Sequence, residues 1–172
     1  MQKFLPISVL IGIVAAVGIV YAQGQGKVEY PTVYEALANH EPGLFDVMTA
    51  AIERAGLRET LDGTDAYTIL APLDPAFVRS LDVADEDAAL AYVAGLSDEE
   101  VATLVANHII NGKRKSTSLL NAKQYTTIND AKITREALNA AGLAAKDWDA
   151  SNGVVHVLDG IIVVESTTEE ER

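Results

Sequence analysis

The stretch YTILAPLDPAF, Tyr67–Phe77, predicts a buried β-strand that runs directly into an α-helix. Its first half is apolar and partly β-branched, as is typical of a buried strand, and Pro72 closes that run. Asp74 then stands where a helix N-cap is expected, and Pro75 occupies the first helical position, where its missing N–H costs nothing. Phe77 continues the apolar pattern at helical spacing. The stretch therefore predicts a strand–turn–helix unit.

A second stretch, SNGVVHVLD at Ser151–Asp159, follows about eighty residues later. Asn152-Gly153 is a strong hairpin signal, and it predicts a turn with φ > 0 at one or both central residues. The residues after it are β-branched and alternate with His156, which predicts a strand carrying a partly buried, hydrogen-bonded histidine. Asp159 falls in the turn that follows.

In this order and at this separation, the two stretches resemble the signature motifs of the fasciclin-type domain, a module best known from cell-surface and secreted adhesion proteins. Leu104–Gly112 is similar to the family's helix end that carries a histidine. Its opening helices resemble Thr32–Leu37, Leu44–Gly56 and Leu57–Leu61. The resemblance runs from about Thr32 to Val164. It implies the family's fold, and its motif residues in this chain are Thr68, Pro72, Asp74, Phe77, His108, Asn152, Gly153, His156 and Asp159.

The hydrophobic pattern changes along the chain, from helical periodicity in the first half to β-rich segments in the second. Leu44–Gly56 carries one apolar helical stripe that ends at a glycine, and Ser97 with Glu100 forms a capping box for a later helix. Helices followed by strands predict an α+β fold. Together with the resemblance, this predicts a β-sandwich or barrel-like sheet flanked by helices from the N-terminal half.

The predicted domain occupies residues 30–165, between a linker at 23–29 and an acidic tail at 166–172. Residues 1–22 form a leader, in which Phe4–Ala22 is uncharged and mostly apolar. Its last residues suit a signal peptidase, yet the run approaches the ~20 residues that span a bilayer. Two alternatives follow, a cleaved signal peptide or a retained N-terminal transmembrane anchor. Both export the domain to the periplasm or the cell surface.

The composition excludes several functional classes. The 172 residues carry a formal net charge of −12, and such acidity disfavours nucleic acid as a partner. The chain has no cysteine, so disulfide and thiolate chemistry are impossible. The three histidines stand far apart, and neither a phosphate-binding loop nor a nucleophile elbow is present. We therefore expect no enzymatic activity, no metal and no cofactor.

His108 lies at the end of an amphipathic helix and has two interpretations. It can be a pH-sensitive contact that regulates the domain or its partner surface. Alternatively, it is a neutral histidine whose ring nitrogens bond to the backbone and tie the helix to the sheet. We favour the structural interpretation, and the resemblance implies the same architectural role.

Two sets of residues are candidates for partner binding. Asp147 and Trp148 are predicted to be exposed and stand where several animal fasciclin-type domains carry an Asp-Ile pair implicated in integrin recognition. Asp147 matches the acid of that pair, whereas Trp148 replaces its isoleucine and is either an interface anchor or a lid on the sheet's core. Lys113, Arg114 and Lys115 form the sole basic cluster. They could contact an anionic lipid, an acidic polysaccharide or an acidic protein, but we favour a solvated loop.

These observations predict an exported, non-catalytic fasciclin-type module that binds another protein or a cell-surface component. A retained leader would make it an accessory subunit that caps a membrane complex, held there by residues 4–22. The alternative function is binding of a small apolar ligand, since some algal fasciclin-type proteins resemble carriers of carotenoids.

Overall fold

The computed structural model of the chain describes residues 30–40 and 43–162. Within these residues, the helices are α1 (Val33–Ala38), α2 (Asp46–Arg54), α3 (Arg58–Leu61), α4 (Asp74–Leu81), α5 (Glu86–Gly95), α6 (Asp98–Ala106), α7 (Ser116–Asn121) and α8 (Arg135–Ala141). The strands are β1 (Tyr67–Pro72), β2 (Ile109–Asn111), β3 (Gln124–Thr126), β4 (Lys132–Thr134), β5 (Leu143–Ala150) and β6 (Gly153–Leu158). The predicted leader, linker and acidic tail lie outside the described residues. In the part of the chain that is described, no helix is long and apolar enough to cross a membrane.

The strands form two open sheets. The larger sheet has the order β2-β1-β6-β5, and β3 pairs with β4 in a separate two-stranded sheet. β1 and β6 run parallel at the centre, whereas β1 pairs with β2 and β5 pairs with β6 in antiparallel fashion. The predicted α+β fold is confirmed, with sheets that stay open and do not close into a barrel.

Apolar side chains cover both faces of the central strands. Ile69 and Val155 point into a large core shared with the N-terminal helices, whereas Leu70 and Leu158 point into a smaller core on the opposite face. The smaller core is closed by α7, α8 and the β3–β4 pair, through Leu119, Tyr125, Ile133 and Leu138. β1 and β6 are buried on both faces, so apolar residues predominate along both strands, and the polar residues Thr68 and His156 are themselves buried. The helices of the N-terminal half therefore cover only one face of the sheet.

Several helix ends follow the sequence directly. Ser97 and Glu100 form the predicted reciprocal capping box of α6. Asp85 caps α5 with its side chain, which accepts a hydrogen bond from the Ala88 N–H at 2.9 Å. Gly56, just beyond α2, has a φ of 69°, the left-handed conformation that ends many helices. These features are local and need nothing from the rest of the fold.

The hairpin between β5 and β6 is present, but its turn differs from the predicted one. Ala150 pairs with Gly153, so the central residues are Ser151 and Asn152. Neither Asn152 nor Gly153 has a positive φ, so the prediction of a left-handed turn residue is wrong. Gly153 is required for space instead, because a Cβ atom there would lie 2.0 Å from the backbone oxygen of Tyr67.

Asp74 caps a helix, but not the helix that it opens. α4 begins at Asp74 itself, and its N-cap residue Leu73 makes no side-chain cap bond. The Asp74 carboxylate instead accepts hydrogen bonds from the backbone N–H groups of Asp46 and Val47, each at 2.9 Å. These residues open α2, whose own N-cap, Phe45, has no side-chain oxygen to cap it. The N-cap prediction for α4 is therefore wrong, because packing places the carboxylate against a different helix.

Asn152 joins the hairpin to two helices of the other half. Its side-chain oxygen accepts a hydrogen bond from Val33 N–H at 2.8 Å, at the start of α1. Its side-chain nitrogen donates to the carbonyl oxygens of Leu61 and Gly63 at 2.7 and 2.8 Å. The side chain is buried, so this motif residue acts as a polar link inside the fold.

Two further motif residues also make long-range polar contacts. The Thr68 hydroxyl donates to the Gly112 carbonyl at 2.7 Å and accepts from the Arg114 N–H at 2.8 Å. Asp159, after β6, accepts hydrogen bonds from the Arg79 guanidinium on α4, through its carboxylate and its backbone oxygen, both at 2.6 Å. The motif thus marks the joints between elements.

Candidate functional site

His108 is fully buried at the junction of α6 and β2. Its Nδ1 lies 2.8 Å from the Leu104 carbonyl oxygen, and its Nε2 lies 3.0 Å from the backbone nitrogen of Ile162. An N–H donor faces Nε2, so Nε2 must accept and Nδ1 must carry the proton. Burial lowers the pKa of His108 to about 4, although the bond to Leu104 opposes this. This is the geometry of a neutral histidine that ties a helix to the chain after the sheet.

His156 is the second buried histidine, and it lies in the central strand β6. Its Nε2 is 2.8 Å from the Arg114 carbonyl oxygen, and its Nδ1 accepts from the Asp147 N–H at 3.2 Å. The sequence predicted partial burial, whereas the ring is fully buried. Burial lowers the pKa of His156, against the raising effects of the Arg114 bond and the Asp147 charge.

Asp147 is half-buried, and its carboxylate is bound within the domain. It lies at an irregularity in β5 with a φ of 63°, a conformation that aspartate tolerates better than most residues. Its carboxylate accepts a hydrogen bond from Ser116 N–H at 2.8 Å and another from the Ser116 hydroxyl. Burial raises the pKa of Asp147, but the Ser116 bonds outweigh it and the net pKa is lowered. Asp147 thus caps α7, whose N-cap residue Lys115 makes no cap bond.

Trp148 belongs to an aromatic cluster at the end of the large core. Its ring stacks on His40 at a centroid distance of 4.7 Å and meets Phe45 edge-on at 5.9 Å. Tyr30 lies further out, at 6.4 Å. Trp148 is half-buried, so the predicted exposure of the Asp147–Trp148 pair is wrong. The arrangement fits the interpretation of Trp148 as a lid on the core.

Two residues of the basic cluster, Lys113 and Lys115, contact the strand that carries Asp147 and Trp148. Lys113 lies 3.2 Å from the Asp149 carboxylate and donates to the Ala150 carbonyl at 3.1 Å. Lys115 also contacts Asp149, whose side chain is only 7% exposed. A buried carboxylate needs a paired charge, which the two lysines supply. Their side chains stay 38% and 40% exposed, so the solvated loop stays a prediction. Arg114 has an exposed side chain.

The fold therefore brings the two predicted sets of binding residues together. Asp147, His156, Lys115 and Asp149 form a contiguous polar network between β5, β6 and the start of α7. Its charges are satisfied internally by partners on neighbouring elements. This network stabilises the fold and leaves little unpaired charge for a partner.

Three carboxylates form a separate cluster at the start of α2. Oxygen atoms of Asp46, Asp74 and Glu86 lie within 4.8 Å of one another. Both oxygens of Asp74 already accept backbone hydrogen bonds. Burial raises the pKa of Glu86, and the charges of Asp74 and Asp46 raise it further. Because the central carboxylate caps a helix, this geometry is explained without a metal.

An apolar groove lies between α4, α5 and α6 in the described part of the chain. Its volume is about 710 Å³. Phe77 and Val93 form its buried floor. Partly buried aliphatic side chains form the walls: Leu81, Leu96, Leu104 and Ile161. Tyr92 stands on the rim with 47% of its surface exposed. An exposed aromatic beside a buried apolar floor is typical of a binding surface.

The groove was not predicted from the sequence. Its lining residues are scattered from α4 to the chain after β6, so no short motif contains them. One signal was present, because Tyr92 is the only aromatic residue of the alanine-rich helix Glu86–Gly95. An aromatic residue on an exposed helix face could have been noted as a candidate.

The chain around the groove is strongly acidic. Residues 80–112 contain no Lys or Arg and seven acids: Asp82, Asp85, Glu86, Asp87, Asp98, Glu99 and Glu100. Glu99 and Glu100 themselves line the groove. The groove thus combines an apolar floor with negative charge at one side.

The fold defines an α+β domain in which helices cover both faces of a four-stranded mixed sheet. The Fasciclin domain family matches residues 43–164, and the chain belongs to this family. The resemblance identified from the two motifs is thereby confirmed.

Relatives with this domain differ widely in size. Stabilin-1 of Mus musculus is 34% identical over 144 residues, which cover 77% of this chain and 5% of stabilin-1. Protein sll1483 of Synechocystis is 26% identical over 137 residues, covering 77% of this chain and 73% of that protein. Transforming growth factor-beta-induced protein ig-h3 of Sus scrofa is 27% identical over 137 residues, which cover 74% of this chain and 19% of that protein. The chain therefore spans a small fraction of the large animal relatives.

The fold is also similar to a solved structure, the FAS1 domain pair of the insect cell adhesion molecule fasciclin I. The TM-score is 0.60 at 15% identity, and the match covers 80% of this chain and 52% of that chain. At this identity the likeness establishes the fold and no more.

Proposed function

We propose that this chain is an exported, non-catalytic fasciclin-type module that binds a partner protein through the groove between α4, α5 and α6. The observation that carries the proposal is the groove itself, with the buried floor of Phe77 and Val93 beside the exposed ring of Tyr92. Apolar floors with an aromatic at the edge are where binding energy concentrates in protein interfaces.

Export rests on the leader. Phe4–Ala22 either addresses the domain to the periplasm or cell surface, or holds it to the membrane as a subunit of a larger complex. N-terminal sequencing of the mature protein separates these alternatives. A chain that begins at Gln23 supports a free module, whereas an intact Met1 end in the membrane fraction supports a subunit.

A site-specific photo-crosslink tests the binding surface. Tyr92 is replaced by p-benzoylphenylalanine in cells that produce the protein, and Leu120, the other exposed large apolar residue in the described part of the chain, serves as the matched control position. We expect a defined protein adduct from position 92 that is absent from position 120. Equal adducts from both positions, or none from position 92 while position 120 gives one, would contradict the proposal.

A small apolar ligand is the second candidate. The groove volume of about 710 Å³ lies within the ~300–1,000 Å³ range of small-molecule sites. Visible absorbance of the natively purified protein tests this directly for a carotenoid-like ligand. Absorbance that disappears when the groove is filled by Thr103→Trp would favour this function over partner binding.

A further inference from the structure

We propose that the groove accepts a cationic amphipathic helix of a partner protein, with aliphatic side chains on its floor and Lys or Arg residues against Glu99, Glu100 and the ring of Tyr92. This inference rests on the proposed function and names the chemistry of its partner. The described groove is bounded by helices on its sides, so it suits the apolar stripe of a docked helix.

The apolar part of the groove sets the first requirement on the partner. Phe77 and Val93 are 0% and 2% exposed, and Leu96 and Leu104 are half-buried beside them. Water in contact with these walls is released when an apolar side chain replaces it. A wholly polar or extended charged segment would leave the apolar walls of the groove in contact with water. The occupant must therefore present aliphatic or aromatic side chains.

The charges at the start of α6 set the second requirement. Glu99 and Glu100 line the groove at the first turn of α6. Glu100 accepts hydrogen bonds from the Ser97 N–H at 2.8 Å and the Ser97 hydroxyl at 2.7 Å. These two bonds lower the pKa of Glu100, so its carboxylate is ionised at neutral pH. A cation on the occupant meets a fixed negative charge there.

Nearby arginines do not neutralise this side of the groove. Arg79 on α4 binds Asp159 at 2.6 Å. Arg54 on α2 donates to the Val93 and Leu96 carbonyl oxygens and lies 3.7 Å from Asp98. Both guanidinium groups hold elements of this domain together. The negative charge of the groove is therefore available to an external cation.

Tyr92 adds a third point of recognition. Its ring stands on the rim with 47% of its surface exposed. Tyr92 and Glu99 line the same groove, and a cation that meets the face of an aromatic ring is attracted by the ring quadrupole. The same rim repels an anionic surface. A second copy of this chain is also disfavoured as the occupant, since each copy carries a net charge of −12.

Labelled synthetic peptides of about 18 residues, a length that can form a helix on binding, test the chemistry. The first is an amphipathic Leu/Lys sequence, the second carries Glu in place of every Lys, and the third has the Leu/Lys composition scrambled so that no apolar stripe remains. Fluorescence anisotropy measures the affinity of each for the mature full chain. We expect the Leu/Lys peptide to bind at least about tenfold more tightly than either of the others.

Paired variants assign the binding to the groove. Thr103→Trp fills the groove from an exposed position, and Glu99→Lys reverses a rim charge. We expect each to weaken the Leu/Lys peptide by about tenfold. Glu136→Lys, an equal charge change on α8, is the control and should leave the affinity within about twofold. Because Glu99 is exposed, its variant stays informative even if the tryptophan variant folds poorly.

Several outcomes would overturn the inference. Equal binding of the Leu/Lys and scrambled peptides, or an equal loss in Glu99→Lys and Glu136→Lys, would show charge attraction without a groove. Tighter binding of the Leu/Glu peptide, or no binding of the Leu/Lys peptide, would also overturn it. A photo-crosslinked partner at position 92 whose attached segment is acidic would refute this inference while leaving the proposed function intact.

Discussion

Protonation of His108 should destabilise the protein in a way that can be measured. Burial lowers its pKa in the folded protein to about 4, below the ~6.5 of an unfolded chain. Between these two values the unfolded state binds the proton more often, so stability falls as pH falls. One pKa unit corresponds to about 1.4 kcal/mol, so lowering the pH from about 7.5 to about 5 should remove about 2 kcal/mol of unfolding free energy through this residue.

The assay is urea unfolding followed by circular dichroism across this pH range, for the wild type and His108→Gln. Burial also lowers the pKa of His156, so that residue adds to the wild-type pH dependence. The quantity to compare is therefore the difference in pH dependence between the two proteins. We expect the unfolding free energy that is lost between about pH 7.5 and about pH 5 to be about 2 kcal/mol smaller in His108→Gln than in the wild type.

His108→Gln should also be less stable at pH 7.5, because the Ile162 N–H loses a buried partner. A variant with the same pH dependence as the wild type would refute the assignment. If the variant is too unstable to measure, the ring nitrogens of wild-type His108 provide a second test by NMR. A neutral ring with the proton on Nδ1 at about pH 5 supports the argument, and a protonated ring refutes it.

Three further substitutions probe the joints of the fold. Gly153→Ala should lower the free energy of unfolding by more than about 2 kcal/mol, because the new methyl group meets a strand backbone. The control Gly95→Ala places its methyl group in open space and should be neutral or slightly stabilising in thermal melts. Equal melting temperatures of the two variants would contradict the close approach at Gly153. Asp74→Ala should cost about 2–4 kcal/mol, since two N–H groups at the start of α2 lose a buried charged acceptor, against about 1 kcal/mol for the exposed cap variant Asp85→Ala. Equal losses in urea unfolding would show that Asp74 is an ordinary local cap. Asp147→Ala should lower the free energy of unfolding by about 1–3 kcal/mol, because the start of α7 loses its capping carboxylate. An unchanged urea midpoint would show that Asp147 is not needed for stability and would restore it as a candidate for partner binding.

Much of the fold could be predicted because its signals are local. The α6 capping box lies within four residues, and the β-branched run of β6 lies within six. Such patterns depend on backbone geometry that any chain shares. The family resemblance likewise rests on two short motifs, whose order and separation were visible without a structure.

The candidate site was harder to predict because it depends on the partners of charged residues. Asp147 and the lysines at 113 and 115 look available in the sequence, since each stands in a polar segment. In the structure, Asp147 accepts hydrogen bonds from Ser116, and the two lysines pair with the buried carboxylate of Asp149. The burial of Asp149 could not be predicted from the sequence, because neighbouring elements decide whether a carboxylate is buried.

The sequence by itself determined the strand–turn–helix unit, the hairpin, the α+β class and the acidic character of the chain. Only the tertiary structure decided that Asp74 caps α2, that Gly153 is needed for space and that Phe77 forms the floor of a groove. The reason is distance along the chain. Asp74 meets its partner 28 positions away, and Gly153 abuts a strand more than eighty residues earlier. Local propensity sets which elements form, whereas the packing of apolar faces sets which of their polar groups meet.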